Sequence, residues 1–300
     1  MKNRIVYQID SFTREKFKGN PAGVVLHANG LSDLQMQQIA RELNNSETAF
    51  LFSADQQGID GEIRYFTPTT EVPSCGHATI ATGYALAMEK KMGSCVLKMK
   101  TQIGVLPIEI HEKENDYSIS MTQGAFSLSP EFDEKTTNAI VSSLGLSETD
   151  RLNNCPIQIA STGHSKVMIG IKSRKKLNAL SPKMDALKTI SSQIGCNGYF
   201  VFTFDSNDKD ILTYGRMFAP AIGIDEDPVT GNANGPLGGY LIQNEIIKPH
   251  NNLFEFTGRQ GEQMGRLGEI NVQVSIENQV PSTIKINGEA VVIFRTELFL

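Results

Sequence analysis

Short apolar runs separated by polar, glycine-bearing turns make up most of this chain, and one strand-to-helix pattern occurs twice. Arg64 to Met88 (RYFTPTTEVPSCGHATIATGYALAM) returns in looser form as Arg216 to Gln243 (RMFAPAIGIDEDPVTGNANGPLGGYLIQ). Placing Arg64-x-Phe66-x-Pro68 on Arg216-x-Phe218-x-Pro220 carries Cys75-Gly76-His77-Ala78 onto Thr230-Gly231-Asn232-Ala233, with three extra residues in the second loop. In each copy an extended segment (63–66 and 212–218) runs into a proline, whose fixed φ and missing N–H end regular pairing. A loop and a glycine follow, and then an apolar segment long enough for a buried helix, 78–88 and 236–247.

The flanking pattern supports a duplication. Arg4 to Ile9 alternates as a strand, and Gly19-Asn20-Pro21-Ala22-Gly23 leads into the apolar run Val24-Val25-Leu26. The counterpart in the second half is Ser161-Thr162-Gly163-His164-Ser165 before the run 167–171. Ser32 is placed to cap an amphipathic helix over 34–43, matched by 184–194, and the strand 48–52 is matched by 199–204. Further strands are expected at 95–99, 105–111, 117–121, 157–160, 254–258, 270–276, 283–287 and 291–294, and a short helix at 136–144. The stretch 126–131, with Pro130, is the linker candidate. The glycine-rich, arginine-bearing region 260–268 reads as a hairpin turn, with an arginine near an anionic substrate as its other reading.

Composition narrows the function classes. Three hundred residues with 40% apolar side chains can fill substantial cores. The repeat favours two similar domains: 1–124, with a last strand at about 290–300 free to return to it, and 130–288. A net charge of -5 leaves no basic footprint for nucleic acid, and the Lys172 to Lys176 cluster reads as a solvated surface. The start of the chain goes straight into strand-like alternation without an apolar signal core, and no run is long enough to span a membrane, so a cytoplasmic protein is expected. Four cysteines without CxxC spacing and five scattered histidines predict free thiols and no metal cluster.

Candidate chemistry lies at the two helix starts. The first turn of a helix offers unpaired N–H groups and partial positive charge, suited to a carboxylate or a developing oxyanion. If the copies faced one another, His77 on one side would meet Asp227 and Asn232 on the other; the alternative is two unrelated tight turns before core helices. Glu47 sits where the helix ending at Asn44-Asn45 gives way to a buried strand. An ionised carboxylate there must be solvated, paired or shifted in pKa. The second copy carries Gly198 at that junction, so only the first half supplies an acid.

Taken together, GNPAGVV (19–25), NNSETAFL (44–51), RYFTPTTEVPSCGHAT (64–79), TGHSKVMI (162–169), GRMFAP (215–220) and EDPVTGNANG (226–235) resemble the PhzF family of phenazine-biosynthesis isomerases and, more distantly, diaminopimelate epimerase. The resemblance spans nearly the whole chain in order. It implies an α+β fold of two pseudo-symmetric epimerase-like domains, each a sheet wrapped round a central helix, with an active site between them and usually a homodimer. It implies Glu47 as the general acid/base, with His77 and Asp227 in the catalytic set. Ser46, Gly76, Gly231 and Asn232 are the expected substrate-binding residues.

The expectation is therefore a cofactor-independent, metal-free isomerase acting on a small carboxylate-bearing, cyclic or amino-acid-like substrate. Asn232 stands where the phenazine enzyme's pattern has serine. Cys75 faces Thr230 in the repeat, and one thiol cannot run a two-thiol racemase mechanism, so Cys75 reads as a packing residue. The alternatives are a racemase or epimerase using Cys75, and a small-anion binding protein without chemistry.

Overall fold

A computed structural model describes residues 3–300 and divides them into two compact units. The first comprises the described residues up to Thr122 together with Asn287–Leu300, and the second is Gln123–Ile286. Among the described residues no helix is long and apolar enough to cross a membrane.

The first unit runs β1 (Arg4–Ser11), β2 (Asn20–Val25), α1 (Asp33–Leu43), β3 (Glu47–Ser53), β4 (Gly61–Phe66), β5 (Glu71–Val72), α2 (Gly76–Lys90), β6 (Cys95–Thr101), β7 (Gly104–Lys113) and β8 (Asp116–Thr122). The pairing alternates along the sheet. β1–β2 is antiparallel, β2–β3 parallel, β3–β4 antiparallel, β4–β6 parallel, and β6–β7 and β7–β8 antiparallel. Each parallel step needs a crossover, and α1 and α2 supply the two. The last part of β17 (Val280–Leu298) pairs with both β8 and β1, which closes the strands into a ring.

Inside that ring lies α2, buried without a break from His77 to Ala87. A helix enclosed on every side must be apolar all round, and its small residues are what let the strands come close. A side chain at Gly83 would sit 2.9 Å from Ile119 on β8, so nothing larger than glycine fits there without movement. Ser32 caps α1 as expected, with Gln35 completing a capping box.

The second unit repeats the scheme. It runs β9 (Ser127–Leu128), α3 (Glu134–Ser143), β10 (Gln158–Ser161), β11 (Lys166–Ile171), α4 (Arg174–Asn178), α5 (Met184–Ile194), β12 (Tyr199–Thr203), β13 (Thr213–Ala219), β14 (Ile224–Asp227), α6 (Gly231–Gln243), β15 (Leu253–Gln260) and β16 (Gly268–Glu277). Its pairings follow the same alternation: β10–β11 antiparallel, β11–β12 parallel, β12–β13 antiparallel, β13–β15 parallel, β15–β16 antiparallel. Its central helix α6 is buried at nearly every position, and Gly239 makes room for the Phe126 ring.

Three expectations need correction. The second central helix starts at Gly231 rather than Pro236 and ends at Gln243. Pro236 lies inside it, which removes one hydrogen bond but does not stop a helix held by burial on all sides. The two strands expected at 283–287 and 291–294 are one, β17. Gly288 is no break: the Phe12 ring lies where its side chain would be, 2.4 Å from the position of a Cβ, while Glu289 O accepts from the N–H groups of Phe12 and Thr13 at 2.7 and 3.3 Å. The Lys172 to Lys176 cluster is not simply solvated. Arg174 stacks on Tyr214, 3.5 Å from the ring centroid, and forms a two-bond pair with Glu262.

Overpacking at Gly288 gives a direct check on the β17 assignment. Gly288→Ala should destabilise the protein by about 1–3 kcal/mol, read from the denaturant midpoint, because the Phe12 ring has to move.

Candidate active site

The loop into each central helix is tied back to its strand by the same ion pair. Arg64 on β4 binds Glu71 through two 2.7 Å bonds and reaches Asp33, while Arg216 on β13 binds Glu226 at 2.8 and 2.7 Å. Each guanidinium also stacks on the aromatic two residues on, Phe66 or Phe218. Two-bond arginine–carboxylate pairs fix direction as well as distance, so the helix starts that follow are held in place.

In the first unit Asn44 ends α1 in the left-handed conformation, and Asn45 exchanges two 2.8 Å side-chain bonds with Gln8 on β1. The chain then enters β3 at Glu47, which pairs in parallel register with Ala22. That register places the Glu47 carboxylate at the start of α2. His77, the second residue of α2, has Nε2 3.4 Å from Glu47 Oε2 and 3.3 Å from Ser46 Oγ. Cys75 is the N-cap residue but makes no side-chain cap bond; its Sγ lies 3.4 Å from His77 Nδ1.

The support beneath is hydrogen-bonded throughout. Thr79 Oγ1 donates to Cys75 O at 2.7 Å and meets Tyr65 Oη at 2.7 Å, and Ser11 Oγ donates to His77 O at 2.8 Å. Burial raises the Tyr65 pKa above the ordinary tyrosine range, so its hydroxyl stays neutral. Burial is also the main reason that the Glu47 pKa is raised, against opposing hydrogen bonds from Ser46 and Cys75. A carboxyl group whose pKa is raised by burial is the kind of group that general acid/base work uses.

Glu47, Cys75 and His77 each bring one donor atom within 4.8 Å of the others. Carboxylate, thiolate and imidazole are a donor set that zinc accepts. Burial that favours protonated Glu47 opposes this use, since a metal ligand must be deprotonated.

In the second unit Asp227 ends β14, and Thr230, the α6 N-cap, donates its hydroxyl to Asp227 Oδ2. Gln260 staples this corner. Its Nε2 donates to Asp227 O at 2.7 Å and Thr230 Oγ1 at 3.0 Å, and its Oε1 accepts from Thr230 N and Asn234 Nδ2, both at 3.1 Å. Gln123 Nε2 donates to Gly231 O at 3.0 Å and lies 3.4 Å from Asn232 Oδ1, while its Oε1 accepts from Thr162 at 2.9 Å.

Of the residues expected from the sequence, Ser46, Glu47, Gly76 and His77 gather at the α2 start, and Asp227, Gly231 and Asn232 at the α6 start. Cys75 is buried, as a packing residue would be, and its Sγ also lies against His77. Gln123, Gln260 and Ser11 gave no sequence signal, because each acts across the fold from an otherwise ordinary strand end. Thr230 had one, its place opposite Cys75 in the repeat.

The PhzC-PhzF family, described as "Phenazine biosynthesis-like protein", matches residues 9–296. The chain belongs to this family. It is 53% identical over 295 residues to an uncharacterized isomerase of Clostridium acetobutylicum, covering 98% of each chain. It is 47% identical over 292 residues to the uncharacterized isomerase YddE of Escherichia coli K12, covering 97% of each. The crystal structure of a PhzF-family phenazine biosynthesis protein from Bacillus anthracis superposes with a TM-score of 0.89 at 31% identity, covering all of both chains. The fold is thus the α+β, epimerase-like fold of the PhzF family, and the chain is an isomerase.

The setting of Glu47 in this PhzF-family protein has a measurable consequence for stability. Its raised pKa means that the folded state holds the proton more tightly than the unfolded chain. The stabilisation this brings is complete below the ordinary value of 4.5 and lost as pH rises through the folded-state value. Above that folded-state value the native enzyme bears the cost of a desolvated carboxylate. Glu47→Gln should be the more stable protein there, a gap that closes on acidification and is read from unfolding midpoints against pH.

Proposed function

We propose that this isomerase moves a proton between carbons of a small carboxylate-bearing molecule, with Glu47 as the general acid and base. The observation that carries the reading is the Glu47 carboxyl group, desolvated and raised in pKa, set against the imidazole of His77 and the thiol of Cys75 at the start of a buried helix. Ionised Glu47 would take a proton from a carbon next to an activating group, and its protonated form would return that proton at another carbon of the same molecule. One C–H bond breaks and another forms at a different carbon while the electron pair left behind shifts the double bond, so the step needs no external oxidant or reductant.

His77 would orient Glu47 or bond the substrate. Ser46, hydrogen-bonded to both Glu47 and His77, would hold them in line. The backbone N–H groups at the helix starts, Gly76-His77 of α2 or Gly231-Asn232 of α6, would help hold the substrate carboxylate, leaving room for a cationic side chain as its further partner. Asp227 would hold a substrate amine or hydroxyl. A substrate that is cyclic or resembles an amino acid fits these groups.

A second reading is favoured by one observation, the contact of Cys75 with both His77 and Glu47. There the thiol would act as an acid/base in a racemase or epimerase. The two readings part on mutation. Under the first, Glu47→Gln keeps ligand binding but loses about 10²- to 10⁴-fold in exchange of substrate carbon-bound hydrogen with deuterated water, and Cys75→Ser has little effect. Full exchange in Glu47→Gln ends the first reading, whereas a comparable loss in Cys75→Ser establishes the second.

The pH profile provides a further check. Because the ionised form of Glu47 starts the reaction, kcat/KM should rise with pH through a midpoint above the ordinary 4.5, and this limb should vanish in Glu47→Gln.

A further inference from the structure

The registers of the two units define which residues are equivalent, independently of sequence similarity. Thr48 pairs with Phe66 in the first unit, and Tyr199 pairs with Phe218 in the second. Phe66 and Phe218 are the matched phenylalanines of the repeat, so Thr48 corresponds to Tyr199 and Glu47 to Gly198. Across the parallel step, Gly23 pairs with Thr48 and Val167 with Tyr199, which makes Ala22 the counterpart of Lys166.

The second unit therefore exchanges the two positions chemically. Where the first has alanine beside glutamate, it has lysine beside glycine. The Lys166 side chain lies over Gly198: a Cβ there would fall 2.3 Å from Lys166 Cδ and 3.4 Å from Nζ. The ammonium thus occupies the space into which a side chain at the Glu47-equivalent position would extend. It donates to Ser165 O at 3.1 Å.

The surroundings suit an anion. Burial lowers the Lys166 pKa, against smaller opposing influences from Cys196 and Asp227, so pairing with a further negative charge would relieve a desolvated cation. The His164 pKa is also lowered, first by burial and then by the neighbouring Lys166. The Asp227 carboxylate acts on Lys166 electrostatically, so a ligand that carries an amine next to its own carboxylate matches the charges of this corner.

We infer that Lys166 is a substrate-binding residue whose ammonium takes the carboxylate of an amino-acid-like substrate, in the place where the second unit would otherwise carry a copy of Glu47. This rests on the proposed function only in taking that carboxylate to be the substrate's own. The Lys166–Gly198 pair is a specificity device, since it rewards a carboxylate over its neutral amide.

The test uses the full chain and 1-aminocyclopentanecarboxylate, a cyclic amino acid with no α-hydrogen to lose, against its carboxamide, with binding followed by titration calorimetry or ligand-observed NMR. The native protein should prefer the acid by about tenfold or more, the scale of a charged hydrogen bond. Lys166→Met should abolish that preference while its thermal midpoint stays level or rises, because methionine fills the same space without a buried charge. Lys166→Arg should keep part of it.

No preference in the native protein, or a preference that survives in Lys166→Met, overturns the inference. A preference that survives beside loss of exchange in Glu47→Gln removes the lysine and leaves the base in place. The opposite pair of results removes the base and leaves the carboxylate site.

Discussion

The parallel pairing of β2 with β3 is the interaction on which the site depends. It needs a crossover, and α1 provides it, so the chain enters β3 directly from the left-handed turn at Asn44. The first residue of that strand is then fixed both in depth and in direction. Slipping the register by one would turn Glu47 to the other face and bring Thr48, fully buried, toward the position of the carboxylate. Gly23 guards against the slip: a side chain there would meet Thr48 and Leu43 at 2.8 Å, so the strands and α1 close on one another in one arrangement.

Enclosure of the central helix does the rest. Because α2 is buried from His77 to Ala87, its start is where its backbone polarity meets other functional groups, and the side chains there are held by partners rather than by solvent. Ser11 and Thr79 fix the backbone on either side of His77, and Tyr65 fixes Thr79. The same enclosure desolvates Glu47. Structure and reactivity therefore have one cause: the burial that stabilises the helix raises the energy of the carboxylate at its mouth.

The sequence displayed the frame more clearly than the chemistry. Ser32, Asn44, the strand alternation and the twin Arg-x-Phe-x-Pro segments are local signals, and the elements they predict are present. The errors came where tertiary contact overrides local preference: Pro236 inside a helix held by its surrounding sheet, and Gly288 inside a strand that needs room for Phe12. Glu47, at a helix-to-strand junction, and His77, in the duplicated loop, were legible as candidates, and the family resemblance pointed to both. Gln123 and Gln260 were not, because glutamine at a strand end becomes informative only when the two residues it bridges are known. The contact of Cys75 Sγ with His77 was not legible either, since it depends on the conformation at the helix start.

The two units keep the same strand order and the same arginine–glutamate pairs, yet their helix starts carry different groups. A symmetric pair of bases would suit inversion at a stereocentre, where one group takes a proton from one face and its twin delivers to the other. This duplication has not kept such symmetry: the position equivalent to Glu47 holds glycine, that of His77 asparagine and that of Cys75 threonine. A single carboxyl group that both takes and returns a proton works from one face of its substrate. That arrangement fits relocating a double bond or a hydrogen along a molecule more naturally than inverting a centre.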